Sequence, residues 1–394
     1  MIGSEARYQA FLDQRAQQGL RRFLLAVAAG EARTVRAEGG AYINFASNDY
    51  LGLRFNETLI GRAIAWAKEW GVGSGASRLV TGNLELFRPI EAKLARLKKK
   101  PASLVMASGF QTNAAALQAL FDRSVLGAEP LVFADRLNHA SMHFGCQAAG
   151  ARQIRYRHCD AAHLAGLLAE HEGEARPKFI LTESVFSMDG DVAPLAEIAR
   201  LARAHGACLI VDDAHATGIL GEGGEGLSGE ADIAIGTFSK ALGGFGGFVA
   251  GSETVRDYLV NRCAGVIYST ALPPPVLGAI DAALDLVPGM DAERAHVANL
   301  AARFRAGARA NGLDTGNSTT QIVPVVLGTP EAALAMSGRL REAGLWASPI
   351  RPPTVPPGTA RLRVAITAAH GESDVDRLLE VVSARDARPR AAAG

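Results

Sequence analysis

The hydrophobic pattern along the chain alternates between two kinds of segment. Near-continuous apolar, β-branched runs are typical of buried parallel strands, whereas apolar residues spaced three and four apart are typical of helices. Helical spacing covers Leu86–Lys99 and Asn113–Phe121. Because strands that alternate with helices form a sheet covered on both faces, the pattern predicts an α/β fold with a mostly parallel sheet. The predicted strands are Ser103–Ala107, Leu131–Ala134, Phe179–Thr182, Cys208–Val211, Ile233–Gly236 and Phe248–Ala250.

The pattern changes after the triple proline Pro273–Pro275, which breaks the chain before a long helical stretch. From about Val287 onward it predicts a second, smaller α+β unit. The elements predicted there are the strands Ile322–Leu327 and Arg361–Thr367 and the helices Pro330–Ala343 and Glu372–Val382.

The first residues predict an amphipathic, arginine-rich helix over 5–28, followed by a short strand and a turn at Tyr42–Gly52. The sequence therefore predicts three parts: an N-terminal segment over 1–55, a large domain over 56–286, and a small C-terminal domain over 287–394. The last ten residues, Arg385–Gly394, mix alanine, arginine and proline and predict a frayed tail.

Composition and charge narrow the classes of function. The chain is 48% hydrophobic and 21% charged, so it can bury a sizeable core. Its 41 basic and 40 acidic residues give a net charge of +1, which argues against a partner that is nucleic acid or a membrane surface. No apolar run has transmembrane length. Four scattered cysteines predict free thiols in a reducing cytoplasm; they are Cys146, Cys159, Cys208 and Cys263.

The segment Ile235–Gly244 carries the most specific chemical signal. Lys240 lies there between two hydroxyl residues and a run of glycines, so its amine is poorly solvated and its neutral form is favoured. A neutral amine can form a Schiff base with an aldehyde such as pyridoxal phosphate. The hydroxyls suit a phosphate, and Asp212 suits a pyridinium nitrogen. A lone lysine after a strand is more often a surface residue, but Asp212, His215 and the glycines together favour a cofactor site.

Two further loops follow predicted strands. Ser108–Phe110 opens a helix, whose unpaired N–H groups and positive dipole end suit a phosphate. Asp135–Ser141 contains His139, which could stack on a heteroaromatic ring at the edge where sheet ligands bind. A structural histidine at a helix start is the alternative interpretation of His139.

Metal and dinucleotide sites are disfavoured. Asp212 and His215 lie three apart, but the nearest histidines and cysteines lack ligand spacing, so no metal is predicted. The glycine clusters Gly71–Gly75 and Gly221–Gly226 do not fit the G-x-G-x-x-G fingerprint, which argues against a nicotinamide dehydrogenase.

From about Arg21 to Leu379 the chain resembles the fold-type I pyridoxal-phosphate enzymes, and within them the α-oxoamine synthases. The resemblance implies a homodimer and a seven-stranded sheet in the large domain. It is most specific for the branch that joins L-alanine to a pimeloyl thioester in biotin synthesis, releasing CO2 and the thiol carrier, either CoA or acyl-carrier protein. The stretches that carry it are Asn44–Gly52, Gly73–Gly82, Thr182–Asp191 and Ile350–Pro356.

The resemblance also implies roles for individual residues. Lys240 would hold the cofactor covalently and act as general base and acid, and Asp212 would pair with the pyridinium nitrogen. His215 would bind the phenolic oxygen of the cofactor, and His139 would stack on its ring. The other implied contacts are Gly109, Phe110, Ser187 and Thr237 for the cofactor, largely around its phosphate, Arg363 and Asn48 for the amino-acid carboxylate, and Arg21, Arg351 and Thr354 for the acyl substrate.

Other members of the family stay open as alternatives, because glycine C-acetyltransferase, 5-aminolevulinate synthase and serine palmitoyltransferase share this catalytic set. The segments Ile350–Thr354 and Arg78–Asn83 favour the alanine and pimeloyl branch. A catalytically silent partner subunit would be expected to lack the Schiff-base lysine, whereas Lys240 is present.

Overall fold

The computed structural model describes residues 3–28 and 30–384, so the predicted tail lies outside the described residues. The helices are, in chain order, α1 (Glu5–Gln17), α2 (Glu57–Trp70), α3 (Phe87–Leu97), α4 (Gly109–Leu120), α5 (Arg123–Leu126), α6 (Ala140–Ala148), α7 (Ala161–Glu170), α8 (Leu195–Ala204), α9 (Glu253–Arg262), α10 (Ala264–Ile267), α11 (Pro274–Leu286), α12 (Asp291–Ala310), α13 (Pro330–Glu342) and α14 (Glu372–Ser383). The strands are β1 (Val27–Ala28), β2 (Thr34–Ala37), β3 (Gly40–Asn44), β4 (Ala102–Met106), β5 (Leu131–Asp135), β6 (Gln153–Tyr156), β7 (Lys178–Glu183), β8 (Ala207–Asp212), β9 (Ile233–Thr237), β10 (Gly247–Gly251), β11 (Ile322–Gly328), β12 (Leu345–Trp346), β13 (Ser348–Ile350) and β14 (Ala360–Ala365).

The chain divides into two compact units. Among the described residues, the first comprises those within 1–47, 188–190 and 297–394, and the second comprises residues 48–187 and 191–296. The three-part domain division, with boundaries at 55/56 and 286/287, stays a prediction. The contact-based units place the N-terminal residues together with the C-terminal ones.

A seven-stranded sheet organises the second unit, in the order β4-β10-β9-β8-β7-β5-β6. The strands β9, β8, β7, β5 and β6 run parallel to one another, and β10 is antiparallel to both of its neighbours, β4 and β9. Successive residues of β7 enter opposite cores, with Ile180 in one cluster and Leu181 in the other. The predicted mostly parallel seven-stranded sheet, covered on both faces, is therefore confirmed.

Three neighbouring strands of this sheet end in an acidic residue. Strand β5 ends at Asp135, β7 at Glu183 and β8 at Asp212, and β7 pairs with both of the others. Because the carboxyl ends of parallel strands meet at one edge of a sheet, three carboxyl groups gather there. All three residues are buried.

The first unit contains two small sheets, in the orders β1-β2-β3-β12 and β11-β14-β13. The predicted strands and helices of the C-terminal part are confirmed as β11, α13, β14 and α14. The predicted helix over residues 5–28 is wrong beyond Gln17. Gly19 takes the left-handed backbone conformation that commonly ends helices, and Val27–Ala28 forms a strand instead.

The four cysteines are free thiols, as predicted. Among the described helices, none combines the length and the apolar character needed to cross a membrane.

Candidate active site

A pocket of about 250 Å³ lies in the second unit, at the edge of the sheet where β8 and β9 end. It brings together most of the cofactor residues that the sequence predicted for this unit. Ser187, also predicted for the cofactor, and Asn48, predicted for the substrate carboxylate, lie outside its lining. The lining residues are Ser108, Gly109, Phe110, Asn113, His139, Ser141, Glu183, Asp212, Ala214, His215, Gly236, Thr237, Ser239 and Lys240.

Lys240 is held on a tight turn that follows β9. The backbone N–H of Gly243 donates to the Lys240 carbonyl at 2.9 Å, and that of Gly244 donates to the Phe238 carbonyl at 2.9 Å. Gly243 has a left-handed φ of 64°, and a Cβ there would lie 2.6 Å from the backbone of Leu53. The glycines that mark this segment in the sequence therefore let the turn pack closely and fix where Lys240 enters the pocket.

Helix α4 and the end of β9 form a cradle of hydrogen-bond donors. Helix α4 begins at Gly109, where a Cβ would lie 3.2 Å from the Thr237 side chain. The hydroxyls of Thr237 and Ser239 are 2.8 Å apart. Unpaired N–H groups and the positive end of the helix dipole face the same place as these hydroxyls, an arrangement that suits a phosphate group.

Asp212 is connected to His139 through a chain of hydrogen bonds. The Asn113 side-chain amide donates to Asp212 Oδ2 at 2.6 Å and to the Ser141 hydroxyl at 3.0 Å, and that hydroxyl lies 2.7 Å from His139 Nδ1. The backbone N–H of Ala214 donates to the other carboxylate oxygen at 3.0 Å. Asp212 is 6% exposed, so these bonds hold a buried carboxylate at the pocket wall.

His139 precedes α6 as its N-cap residue. Burial lowers the pKa of its imidazole, the charges of Lys240 and His143 lower it further, and Asp212 opposes them. Its ring is therefore neutral at neutral pH, a state that suits stacking on a flat heteroaromatic group. Phe110 packs edge-on against it, with ring centroids 6.5 Å apart.

His215 is oriented by Tyr50, a fully buried residue. The Tyr50 hydroxyl lies 2.7 Å from His215 Nδ1 and donates to Asn48 Oδ1 at 3.2 Å. Asn48 is therefore connected to the pocket lining through Tyr50 and His215.

The consecutive residues Asp212 and Asp213 have different surroundings. While Asp212 lines the pocket, Asp213 forms a buried ion pair with Lys98 at 2.5 Å. It also accepts the hydroxyl of Ser228 at 3.0 Å. Burial alone raises the pKa of Asp213, but Lys98 and the hydrogen bonds outweigh it and hold that pKa below its ordinary value. A buried charge at the end of this strand needs a partner, and Lys98 supplies it.

The remaining predicted substrate residues lie in the first unit. Arg363 is buried in β14, where Pro324 and Ser348 are its register partners. Arg351 donates to the Gly19 carbonyl.

In the N-terminal segment, Arg22 and not the predicted Arg21 contacts Thr354. Arg22, the neighbour of Arg21, donates to the Thr354 hydroxyl at 3.0 Å. The Arg21 guanidinium lies 5.3 Å from the centre of the Phe23 ring. The substrate roles of Arg21, Arg351, Thr354 and Arg363 stay predictions.

The sequence did not assign roles to Asn113, Ser141, Tyr50 or Glu183. A signal exists for Glu183, because it closes an apolar strand at the same edge as Asp212. Asn113 and Ser141 follow loops already recognised as cofactor elements, but their hydrogen bonds depend on how α4 and α6 pack together. No local pattern reveals Tyr50, whose partner His215 lies 165 residues along the chain.

Comparisons with known proteins agree with this geometry. A family model described as "Aminotransferase class I and II" matches residues 41–382. A protein of Gluconacetobacter diazotrophicus named 8-amino-7-oxononanoate synthase is 56% identical over 380 residues, covering 95% of this chain and 96% of the relative. A protein of the same name from Geobacter sulfurreducens is 46% identical, covering 94% and 96%.

Solved structures show the same fold. A structure of SPT with PLP matches with a TM-score of 0.87 and 27% identity, covering 97% of this chain and 96% of that one. A structure of 8-amino-7-oxononanoate synthase from Francisella tularensis matches with a TM-score of 0.75 and 26% identity, covering 87% and 97%. The chain therefore belongs to the class I and II aminotransferase family, within which it groups with the 8-amino-7-oxononanoate synthases.

Proposed function

We propose that this protein condenses L-alanine with a pimeloyl thioester, giving 8-amino-7-oxononanoate, CO2 and the free thiol carrier, as a step of biotin synthesis. The observation that carries the proposal is the convergence of Lys240, Asp212 and His139 with the hydroxyl cradle in one pocket. The names of the relatives, at 46% to 56% identity, state the product, and the proposed substrates are consistent with it.

The pocket fits pyridoxal phosphate as its cofactor. The N-terminus of α4 with Thr237 and Ser239 offers donors for the phosphate, and Asp212 offers a carboxylate for the ring nitrogen. Gly109 leaves the cradle open where a side chain would fill it. When bound, this cofactor supplies an electron-accepting ring that stabilises negative charge at the α-carbon of an amino acid.

The side chains have distinct tasks in this proposal. The Lys240 amine holds the cofactor covalently and, once released by alanine, removes the proton from the alanine α-carbon and later returns one. Asp212 keeps a negative charge beside the ring nitrogen, which favours its protonated form. His139 would pack against the cofactor ring, and His215, oriented by Tyr50, would bind its phenolic oxygen.

We assign the substrate carboxylate to Arg363, assisted by Asn48, because a guanidinium binds a carboxylate through two parallel hydrogen bonds. Arg21, Arg351 and Thr354 are assigned to the acyl substrate. Ser187 is assigned to the cofactor. These assignments rest on the resemblance to the family.

We further propose a cytoplasmic homodimer. Large apolar side chains are exposed around the turn at Arg78–Gly82, including Val72 at 81%, Val80 at 73% and Tyr268 at 83%. The two segments that carry them are joined, since the Ser74 hydroxyl donates to the Ala271 carbonyl at 2.6 Å. Large exposed apolar side chains on two linked segments favour a protein partner, and a two-fold axis would use them twice.

Thiol release from the acyl donor tests the reaction. With purified holoenzyme we expect pimeloyl-CoA plus L-alanine to turn over faster than acetyl-CoA plus glycine. One methyl group in an apolar pocket contributes about 1–3 kcal/mol, so the preference for alanine over glycine is expected to be modest. Faster turnover with acetyl-CoA plus glycine would indicate a glycine C-acetyltransferase instead.

Lys240 and Arg363 are tested separately. The wild-type protein should be yellow, and borohydride should fix the cofactor on Lys240. A reducible adduct that persists in Lys240→Ala would refute the lysine assignment. Arg363→Ala should raise the KM for alanine by roughly tenfold or more, because a charge-assisted bidentate contact is lost. Unchanged alanine binding in that variant would refute the carboxylate assignment alone.

A further inference from the structure

Glu183 and Asp212 stand side by side at the pocket. They are the last residues of the neighbouring parallel strands β7 and β8, and the register pairs them directly. Paired residues of adjacent strands, about 4.8 Å apart, point to the same face of a sheet. Both residues line the pocket that contains Lys240.

The surroundings of the two carboxyl groups differ. Asp212 accepts hydrogen bonds from Asn113 at 2.6 Å and from the Ala214 N–H at 3.0 Å. Glu183, only 3% exposed, accepts the backbone N–H of His139. The ionised form of Asp212 is therefore the better solvated of the two by the protein.

Several titratable groups face Glu183. Asp212 comes from β8, Asp135 from the end of β5, Lys240 from the turn after β9, and His139 from the start of α6. Burial and then the charge of Asp212 raise the pKa of Glu183 well above its ordinary value, and Lys240 and the His139 N–H only partly oppose them. The negative charge of Asp212 at the neighbouring register position therefore disfavours ionisation of Glu183.

We propose that Glu183 and Asp212 form one acid pair that holds a single proton on Glu183, so that the pair presents one negative charge, on Asp212, to the cofactor. Glu183 is then a positioning residue. Its neutral carboxyl accepts the His139 N–H at one oxygen and keeps a second charge away from Asp212. The effect on the cofactor rests on the proposed function, whereas the protonation of Glu183 does not depend on it.

The ionisation state is measured directly in the wild-type holoenzyme. With carbon-13-labelled glutamate, one carboxyl resonance should keep its protonated position at pH 7, and infrared spectra should show a protonated carboxyl band. Glu183→Gln should remove both signals. The matched control Glu91→Gln, which changes a glutamate paired with Arg78, should leave both in place. A wild-type protein without these signals, or signals that survive Glu183→Gln, would overturn the proposal.

The visible absorbance of the bound cofactor gives a second test. In Glu183→Gln, the pH midpoint of the absorbance change should stay within about 0.5 units of wild type, because one neutral group replaces another. If Glu183 were ionised, its replacement would remove a negative charge near the pocket and lower the midpoint by more than about one unit. Such a shift would overturn the proposal.

Glu183→Leu removes the acceptor for His139 as well. We expect it to alter the cofactor absorbance spectrum and to lower kcat by roughly tenfold, with Gln at the same position restoring most of both. Equal defects in the two variants would refute the positioning role. A colourless wild-type protein would instead refute the proposed function, and the carboxyl signals would still report on Glu183.

Discussion

At the scale of single residues, Asp212, which ends β8, and Asp213, which follows it, show how neighbours in sequence can have different roles. Asp212 faces the pocket and Asp213 pairs with Lys98, and both are buried. The sequence predicted Asp212 as the cofactor partner, and that role stays a prediction. It could not identify Lys98, because that lysine lies 115 residues away and reaches Asp213 only through the packing of α3 against the sheet.

The different roles of Asp212 and Asp213 predict that the same change, aspartate to asparagine, has a different effect at each position. Asp213→Asn breaks a buried ion pair and should lower the free energy of unfolding by about 3–5 kcal/mol, because Lys98 keeps an uncompensated charge. Asp212→Asn should keep the fold but lose most of the exchange of the alanine α-proton with solvent. Urea unfolding and proton exchange by NMR measure the two effects. A stable Asp213→Asn variant, or an Asp212→Asn variant with unimpaired exchange, would contradict the assignment.

His158 forms a second buried polar cluster in the same unit. Its Nδ1 lies 3.0 Å from Asp135 and its Nε2 lies 2.8 Å from Asp191. Asp135, His158 and Cys159 have ligand-type atoms within 4.8 Å of one another. Since both ring nitrogens already meet carboxylates, the cluster is best described as an imidazolium bridging two acids.

The bridge predicts a pH-dependent stability. Burial alone lowers the pKa of His158, but its hydrogen bonds to Asp135 and Asp191 raise it to about 12. Because this pKa is higher in the folded state, protonated His158 stabilises the folded protein. The stabilisation is complete below the unfolded-state pKa of about 6.5 and falls as the pH rises toward the folded-state pKa. The difference in urea midpoint between wild type and His158→Gln should therefore be larger at about pH 6 than at about pH 9. A difference that grows with pH would contradict the bridge.

At the scale of elements, α4 begins where the phosphate cradle lies. Ser108 is its N-cap, and its hydroxyl accepts the Gln111 N–H at 3.3 Å. The sequence predicted this helix start as a cofactor element from its position after a strand. The partner hydroxyls belong to Thr237, the last residue of β9, and to Ser239, which follows that strand, and the sheet order brings them to α4.

Ser108→Ala should lower the free energy of unfolding by about 1 kcal/mol through loss of the cap. It should also weaken binding of pyridoxal phosphate, because the N–H groups of the first turn lose their fixed positions. The matched control is Ser252→Ala, which removes the same kind of cap from α9, outside the lining of the pocket. Both variants should lose stability, but cofactor affinity, measured by fluorescence titration, should fall in Ser108→Ala alone. Equal affinities would refute the cradle.

The elements that the sequence predicted correctly share a physical property. Strands β5, β7, β8 and β9 are buried on both faces, so their apolar runs are continuous and unambiguous. Strand β6 escaped prediction because it is an edge strand whose burial is uneven. The helix over residues 5–28 was overextended for a related reason. No residue of α1 is buried, so its amphipathic pattern does not correspond to a face packed against the protein. The pattern therefore gives no signal for where the helix ends.

At the scale of the whole molecule, the exposed apolar side chains around Arg78–Gly82 form the proposed dimer interface. Arg78 fixes the turn by donating to Asn83 at 2.9 Å and to Glu91 at 3.1 Å, which leaves Val80 exposed. Specific protein interfaces bury apolar centres of this kind under a polar rim.

Val80→Glu should therefore weaken the dimer by roughly tenfold or more, because it would bury an unpaired charge at the interface. Val125→Glu is the control, since Val125 is 54% exposed elsewhere in the same unit. Sedimentation velocity across a concentration series measures the dissociation constant. A wild-type protein that is a stable, active monomer would contradict the proposal.

The sequence by itself determined the fold class, the family and the residues whose chemistry is local. The lysine in a Gly-rich turn, the acid at a strand end and the glycine that opens α4 each have a signature within a few positions, because backbone geometry and solvation act over that range. Only the tertiary structure decided which groups meet. The register pairing of Glu183 with Asp212, the ion pair of Lys98 with Asp213 and the Tyr50 contact to His215 all join segments far apart in the chain. Their energetics depend on distance and burial, and these are set by sheet order and helix packing, which no single segment contains.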